Sequence, residues 1–497
     1  MIPLGFYISG RKTLANSPPA FSIIISLVTG VVVYTAVAFL LLHAGTGNVF
    51  RYILYGGCLI SLLSMFFIRN DLYKLIQSEN IWGLSFETVV FIFFTATLLC
   101  AGTVYGFGAK DIPGTWGWNI DKLQHLHKFL IPVAEKGLPG DKVNHNWIQV
   151  YYLSKNLLFS SHDFDIITAL YKISGLPFFF ITLYMLALSG KWFFDFSVKY
   201  QILLIFCSAF LGALIYPFME IPDRTSYYLK FYNFTGYYHN TTIWFSNMLA
   251  FSGILLFLKA LTKKEKLVFP AALLISGSFF FKPSFFTVLA PVTMFFSLFL
   301  AKKQFRKDVF SGMLMLLIPV IFWFVYPVIS GVRSSGMTVG FESFAFLSTV
   351  MNNYNLFPEI VLENELLLFL IVFFLSFPLL FPIILDSMNS VVFWSRKYFT
   401  IRIRFNTKRQ KVTLFLISLI IPAICQRIFL YEADGSRIFH GNFGWALQSA
   451  YLISLPLILF WYRSIKTASM RSLATVLLFW QLLCGFWKYI MFIGGKL

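Results

Sequence analysis

The most polar stretch of this sequence, YEADGSRIFHGNFGW at 431–445, lies between two long apolar runs. One further arginine lies a turn inside the preceding run, and an asparagine is placed to cap the next helix. The candidate residues here are Arg427, Glu432, Asp434, Arg437, His440 and Asn442. The planar guanidinium group of arginine binds phosphate through two parallel hydrogen bonds. A carboxylate can act as a general base. The stretch predicts a site for a phosphate-bearing substrate, or alternatively a capped hairpin in which Asp434 and Arg437 neutralise each other.

Three further polar stretches lie at the ends of apolar runs and read MEIPDRTSYY (219–228), YYHNTTIWF (237–245) and FFFKPSFF (279–286). Their candidate substrate-binding or catalytic residues are Glu220, Asp223, Arg224, His239, Asn240 and Lys282. The start of a helix offers free N–H groups and partial positive charge to a phosphate, and Pro283 favours a helix start. The alternatives are a polar cap in which Asp223 pairs with Arg224, simple capping by Asn240, and snorkelling of Lys282 to the interface.

A long polar connection at 109–165 adds Asp111, which closely follows an apolar run. Asp111, Glu220 and Glu432 are the candidate catalytic bases, and the sequence does not choose among them. The 5 cysteines show no CxxC or paired spacing, so neither disulfides nor a zinc site are expected. No cofactor is identified, and a requirement for a divalent cation stays open.

The elements that must position these residues are membrane helices. Of the 497 residues, 58% are hydrophobic and 12% are charged, whereas a soluble domain carries about 25% charged residues. Apolar runs that reach or approach the ~20 residues needed to span a bilayer recur along the chain. They predict an all-α, polytopic integral membrane protein with about thirteen transmembrane helices, within a range of about 11 to 14. Residues 1–497 are expected to form a single transmembrane domain, with the long outer connection 109–165 carrying an interfacial helix.

The predicted spans are 21–43, 52–68, 86–108, 166–190, 201–219, 241–260, 267–281, 284–301, 309–331, 364–386, 412–430, 443–462 and 471–493. Their connections separate by charge. The basic clusters at 261–266, 302–307 and 463–471, with the basic loop 387–411, alternate with the polar stretches described above. The positive-inside rule then predicts a cytoplasmic N-terminus and places every candidate site on the outer face.

Residues 239–286 carry a resemblance to a known family. A polar helix start, a helix, a basic inner turn and a second helix ending in Lys-Pro resemble bacterial lipid-linked glycosyltransferases of the GT-C class. The resemblance implies an enzyme of cell-envelope polysaccharide synthesis in the bacterial inner membrane, with its active site facing the periplasm. It implies a polyprenyl-phosphate sugar donor and a glycan acceptor. That class has its catalytic acid in the first outer loop, whereas here Asp111 lies in the second.

Two alternatives are kept. The stretch GSRIFHGN (435–442) is more loosely similar to O-antigen polymerases and ligases, which use lipid-pyrophosphate glycans. A flippase for lipid-linked sugars is the alternative from another class, although its expected two related halves and charged span interiors are not seen in the sequence. In each case the expected partners are the lipid bilayer and other polysaccharide-assembly proteins, and no nucleic acid.

Overall fold

A computed structural model describes residues 17–43, 56, 59–60, 63, 80–108, 175–212, 241–301, 304–330, 339–341, 343–344, 364–395, 400–403, 406–432 and 444–493. Its helices are α1 (Pro19–His43), α2 (Phe86–Gly108), α3 (Gly175–Phe194), α4 (Val198–Phe210), α5 (Thr241–Lys263), α6 (Val268–Phe279), α7 (Pro283–Leu298), α8 (Arg306–Ser330), α9 (Glu365–Ser376), α10 (Leu380–Val391), α11 (Lys408–Phe429), α12 (Gly444–Ser464) and α13 (Ala468–Ile493). Its strands are β1 (Val339–Phe341), β2 (Val392–Ser395), β3 (Thr400–Ile403) and β4 (Leu430–Glu432).

The chain is a helical membrane protein, as the sequence predicts. Within the described residues, 7 helices are long and apolar enough to cross a membrane. They lie in α1, α3, α5, α8, α11, α12 and α13, and shorter apolar helices include α4, α6, α7 and α9. The count of about thirteen spans stays a prediction.

Three predicted spans differ from the helices that the structure contains. The span predicted at 166–190 is represented by α3, which continues to Phe194, and the one at 201–219 by α4, which ends at Phe210. The span predicted at 364–386 is two helices, α9 and α10, separated at Phe377–Leu379. The backbone N–H of Phe377 still donates to the Phe373 carbonyl oxygen, but its φ of −133° and ψ of 56° end the helix.

Two helices present apolar side chains outward along much of their length. In α8, Phe310 is 62% exposed and Phe324 is 71% exposed, and in α13, Val476 and Phe479 exceed 60%. An apolar surface of this extent is unfavourable in water and suits contact with lipid.

By packing, the chain divides into two compact units. The first comprises Met1–Leu188, Tyr237–Phe286 and Thr293–Ser335, and the second comprises Ser189–Gly236, Thr287–Val292 and Gly336–Leu497. Each is described below by itself.

In the first unit α6 packs closely against α1, α5 and α8, and glycines line these contacts. A β-carbon on Gly253 of α5 would lie 2.9 Å from the Ala271 carbonyl oxygen in α6. A β-carbon on Gly277 of α6 would lie 2.9 Å from a Val32 methyl group in α1. A β-carbon on Gly312 of α8 would lie 2.8 Å from a Val268 methyl group in α6. Small residues let membrane helices approach closely, and dispersion contacts then hold them together.

The N-terminus of α6 is capped by a carboxylate from another helix. The two Asp308 side-chain oxygens accept hydrogen bonds from the backbone N–H groups of Val268, at 2.9 Å, and Phe269, at 3.1 Å. These N–H groups belong to the first turn of α6 and have no partner within that helix. Asp308 therefore stabilises α6 and joins it to the start of α8.

Asp308→Ala is expected to reduce the free energy of unfolding by about 1–3 kcal/mol, because it leaves two half-buried N–H groups without an acceptor. Thermal unfolding in detergent micelles measures the effect. Glu365→Ala is the matched control, since Glu365 is an exposed acid in the first turn of its own helix. A change of only a few tenths of a kcal/mol is expected there. Equal effects of the two substitutions would show that the α6 cap contributes nothing specific.

At the same end of the first unit, a lysine is buried in α5. Lys259 is 3% exposed, its Nζ donates to the Ser17 hydroxyl, and it forms an ion pair with Glu265 at 3.2 Å. The Ala20 N–H donates to the Ile81 carbonyl oxygen at 2.9 Å. The start of α1 and the connections near 81 and 265 thus share one end of this unit.

In the second unit, one glutamine joins the ends of two helices. Gln481 in α13 donates through Nε2 to the carbonyl oxygens of Gly212, just beyond α4, and Ser376, the last residue of α9. The Gly212 N–H donates in turn to the Gln481 carbonyl oxygen at 2.9 Å. Helix ends away from water need such partners, because no solvent replaces them.

Two small antiparallel sheets were not predicted. In the second unit β1 pairs with β4, with Val339 opposite Glu432, Gly340 opposite Tyr431 and Phe341 opposite Leu430. The other sheet pairs β2 with β3 between α10 and α11, inside the segment predicted as a basic loop at 387–411. The first sheet joins two connections that the charge alternation assigns to the same face.

Candidate functional site

The candidate site centres on Arg427 in the last turn of α11. Arg427 is 7% exposed although it lies in a helix that is otherwise long and apolar enough to cross a membrane. A charge inside such a helix is costly and marks a functional position unless a structural reason accounts for it. The prediction that Arg427 lies just inside the end of its helix is confirmed.

The positive end of a second helix faces this arginine. Gly444 is the first residue of α12, and a β-carbon placed on it would be 3.5 Å from Arg427 Nε and 3.7 Å from Cζ. The first turn of a helix carries unsatisfied N–H groups and about half a positive charge. Arg427 thus adds a full positive charge beside a partial one, and a phosphate or carboxylate placed there would be attracted by both.

The same two helices, α11 and α12, also carry buried uncharged polar side chains. Gln426 is 7% exposed, and its Oε1 accepts a hydrogen bond from the Thr287 hydroxyl at 3.1 Å. Gln448 and Ser449, one turn into α12, are also buried. Amide and hydroxyl groups can hydrogen-bond a phosphate or a sugar without adding charge.

The β1–β4 sheet and the residues after β1 contact the C-terminal end of α11. The Phe344 N–H donates to the Ile428 carbonyl oxygen at 2.8 Å, and the Phe341 and Phe429 rings stack with centroids 5.5 Å apart. Glu432, a predicted base, is the last residue of β4, and its backbone position is fixed opposite Val339. The stretch at 431–445 therefore begins as a strand rather than as a free turn.

Lys282, which belongs to the first unit, occupies the position before a helix. It is the N-cap residue of α7 with an extended backbone, Pro283 follows at the start of the helix, and its carbonyl oxygen accepts from the Ser246 hydroxyl at 3.4 Å. The predicted helix start after Lys282 is confirmed. The Lys282 side chain is half-buried, and its predicted role in holding an anion stays a prediction.

The remaining predicted site residues lie outside the described part of the chain. They are Asp111, Glu220, Asp223, Arg224, His239, Asn240, Asp434, Arg437, His440 and Asn442. Helix α5 does begin at Thr241, immediately after Asn240, as predicted.

The buried amides at this site were not predicted. Gln426, Gln448 and, further along the chain, Gln481 are each an isolated amide within a long apolar run. Such a residue needs hydrogen-bond partners in the membrane, so the sequence did contain a signal for them. The hydrogen-bond partner of Gln426 could not be predicted, because Thr287 lies 139 residues away along the chain.

Within the described residues, no group of three or more His, Cys, Asp or Glu side chains could hold a metal ion. No family model, curated protein or solved structure matches the chain. The chemistry of the site must therefore be argued from its own residues.

Proposed function

We propose that this protein is a membrane glycosyltransferase that uses a polyprenyl-phosphate-linked sugar as donor in surface polysaccharide synthesis. The single observation that carries the proposal is the buried Arg427 guanidinium beside the positive end of α12. A phosphate joined to a long apolar chain suits such a site, because its lipid can stay in the bilayer while its charge meets the arginine.

The proposed reaction is a direct transfer of the sugar. The acceptor hydroxyl attacks the anomeric carbon of the donor, and a carbon–oxygen bond forms as the bond from that carbon to the phosphate oxygen breaks. A carboxylate takes the hydroxyl proton, with Asp111, Glu220 and Glu432 as the candidates. Polyprenyl phosphate leaves with additional negative charge, which Arg427 and the α12 N–H groups stabilise.

The proposal includes an orientation and a location. The N-terminus lies in the cytoplasm, about thirteen helices span the bacterial inner membrane, and the site faces the periplasm, in keeping with the positive-inside rule. The partners are the bilayer, the donor, a glycan acceptor and other polysaccharide-assembly proteins, without nucleic acid. A divalent cation remains a possible cofactor.

The test is an assay of purified protein in proteoliposomes with a set of polyprenyl-phosphate sugars and envelope glycans as acceptors. Transfer of labelled sugar to an acceptor, with release of polyprenyl phosphate, is the expected result. Extension of a lipid-pyrophosphate glycan would instead indicate a polymerase or ligase. Movement of lipid-linked sugar across the vesicle membrane without a new glycosidic bond would indicate a flippase and exclude the proposal.

A further inference from the structure

Two short helices of the second unit end at the same glutamine. Helix α4 has 13 residues and α9 has 12, whereas a helix that spans a bilayer needs about 20. The carbonyl oxygens of Gly212, just beyond α4, and Ser376, at the end of α9, both accept hydrogen bonds from Gln481 Nε2, at 3.1 Å and 3.3 Å. Gln481 lies inside the segment Ala468–Trp487, which is long and apolar enough to cross a membrane. The nearer end of that segment is about 9 Å away at 1.5 Å per residue, so the two helix ends meet away from water.

A buried tyrosine hydroxyl lies at this junction. Tyr451 in α12 is fully buried, and its ring packs against Phe377, the residue after Ser376, with the ring centroids 4.7 Å apart. The hydroxyl lies within electrostatic range of the Gln481 side chain and of the Cys207 thiol in α4. Buried tyrosines usually have a hydrogen-bond partner for this hydroxyl, so the surroundings of Tyr451 must supply one.

Three buried oxygen atoms of α12 and α13 have no hydrogen-bond partner within the described part of the chain. They are Tyr451 Oη, Ser454 Oγ and Gln481 Oε1. Ser454 follows Tyr451 by three positions in α12, so the two residues are neighbours on the surface of that helix. A buried polar atom without a hydrogen bond is unfavourable, and in the membrane no solvent replaces the missing partner. A small polar ligand that bonds these atoms would remove that cost.

The chemistry of these groups selects the ligand. Gln481 Oε1 can only accept a hydrogen bond, whereas the hydroxyls of Tyr451 and Ser454 can both donate and accept. All three side chains are uncharged, so an ion placed beside them would lose its hydration without gaining a counter-charge. On the α4 side the space is narrow, because a β-carbon on Gly485 would lie 2.8 Å from the Gly212 nitrogen. Water is the neutral donor and acceptor that needs the least room.

We propose that one buried water molecule bridges Tyr451 and Gln481 in the interior of the second unit. The water donates one hydrogen to Gln481 Oε1 and accepts the hydrogen of the Tyr451 hydroxyl, and its second hydrogen is available to Ser454 Oγ. Buried waters make about 3 such bonds. The Gln481 amide is then held at both of its polar atoms, with Nε2 on the two helix ends and Oε1 on the water. This proposal does not depend on the proposed activity.

The test is X-ray radiolysis of the purified protein in detergent, followed by mass spectrometry of tyrosine hydroxylation. Radiolysis of a bound water produces hydroxyl radicals that modify the adjacent side chain, even where bulk solvent does not reach. Tyr451 is expected to be modified several times faster than Tyr184. Tyr184 is the matched control, since it is equally buried and its hydroxyl bonds the Trp82 carbonyl oxygen directly at 2.6 Å. Equal rates at the two tyrosines would mean that no water lies beside Tyr451 and would overturn the proposal.

A pair of variants tests the role of Gln481. Gln481→Met removes the acceptor while nearly preserving side-chain length, and it is expected to lower Tyr451 modification to the rate of Tyr184. Gln201→Met is the matched control, because Gln201 is also buried but bonds the Phe196 carbonyl oxygen at 2.8 Å, and unchanged Tyr451 modification is expected there. Wild-type rates in Gln481→Met, or an equal fall in both variants, would overturn the bridge. The comparison of the two tyrosines in the wild-type protein decides the proposal even if a variant fails to fold.

Discussion

Arg427→Gln is expected to lower the rate of sugar transfer about a hundredfold or more, because removing one charged donor to a developing anion costs a factor of about 10²–10³. The substitution keeps an amide that can hydrogen-bond and removes the positive charge. Protein amount and unfolding temperature should stay close to wild type if the arginine serves the substrate rather than the fold. The measurement is steady-state transfer in proteoliposomes at equal protein levels.

Two companion variants show what Arg427 does. Arg427→Lys keeps the charge but not the planar fork, so an intermediate loss of activity is expected. Arg306→Gln makes the same chemical change at an exposed position at the start of α8 and is expected to retain full activity. If Arg427→Gln transfers sugar at the wild-type rate, the phosphate site is not at the end of α11.

Glu432 can be tested by the same assay once Arg427 is known to matter. Its backbone is fixed by the pairing of β4 with β1, on the strand that directly follows α11. A backbone position on a paired strand is fixed more precisely than one on a loop, and a catalytic site needs such precision. From the sequence, Glu432 is either a catalytic base or only a partner of Arg437, and loss of transfer in Glu432→Gln at a normal protein level is the result expected of a base.

The helices could be predicted because the bilayer constrains them locally. An apolar run of sufficient length must form a helix in lipid, since each backbone group needs a partner within the same segment. The positions of Lys282 and Arg427 at helix ends could also be predicted, because each is a charged residue at the edge of an apolar run.

What could not be predicted depends on contacts between distant parts of the chain. The β1–β4 sheet pairs short segments about 90 residues apart, and strands of three residues have no detectable sequence pattern of their own. The break between α9 and α10 contains Pro378, which disfavours a helical backbone at Phe377, so the sequence does hold a signal for this break. The partner of the Ser376 carbonyl oxygen could not be predicted, because Gln481 supplies it from 105 residues away. In both cases the hydrogen-bond partner comes from a distant part of the chain that the local sequence does not indicate.

The contact between α13 and the end of α4 leads to the second large expected effect. Gly485 packs against the backbone of α4, so that a β-carbon there would collide with the Phe210 carbonyl oxygen and lie 2.8 Å from the Gly212 nitrogen. Because these are backbone atoms, no side-chain rotation can relieve the overlap. Gly485→Ala must therefore separate the two helices.

We expect Gly485→Ala to reduce the free energy of unfolding by about 2–4 kcal/mol. Overpacking of a close contact costs about 1–3 kcal/mol, and separation of the helices would also weaken the hydrogen bond from Gln481 to Gly212. Thermal unfolding of the wild-type and variant proteins in detergent measures this loss of stability. Gly56→Ala is the matched control, since a β-carbon on Gly56 meets nothing within 4 Å, and a neutral or slightly stabilising effect is expected there. Equal destabilisation by both substitutions would contradict the close contact.

A double-mutant cycle separates the steric and hydrogen-bonding parts of this contact. Gln481 lies one helical turn before Gly485, and both act on the residues at the end of α4. Gln481→Met removes the hydrogen bonds while nearly preserving side-chain length, so its cost alone should be about 1–3 kcal/mol. Since Gly485→Ala already displaces the Gly212 carbonyl, the two costs should sum to more than the double variant loses. Strict additivity would mean that the glycine and the glutamine stabilise α4 independently, and that the end of α4 has another partner.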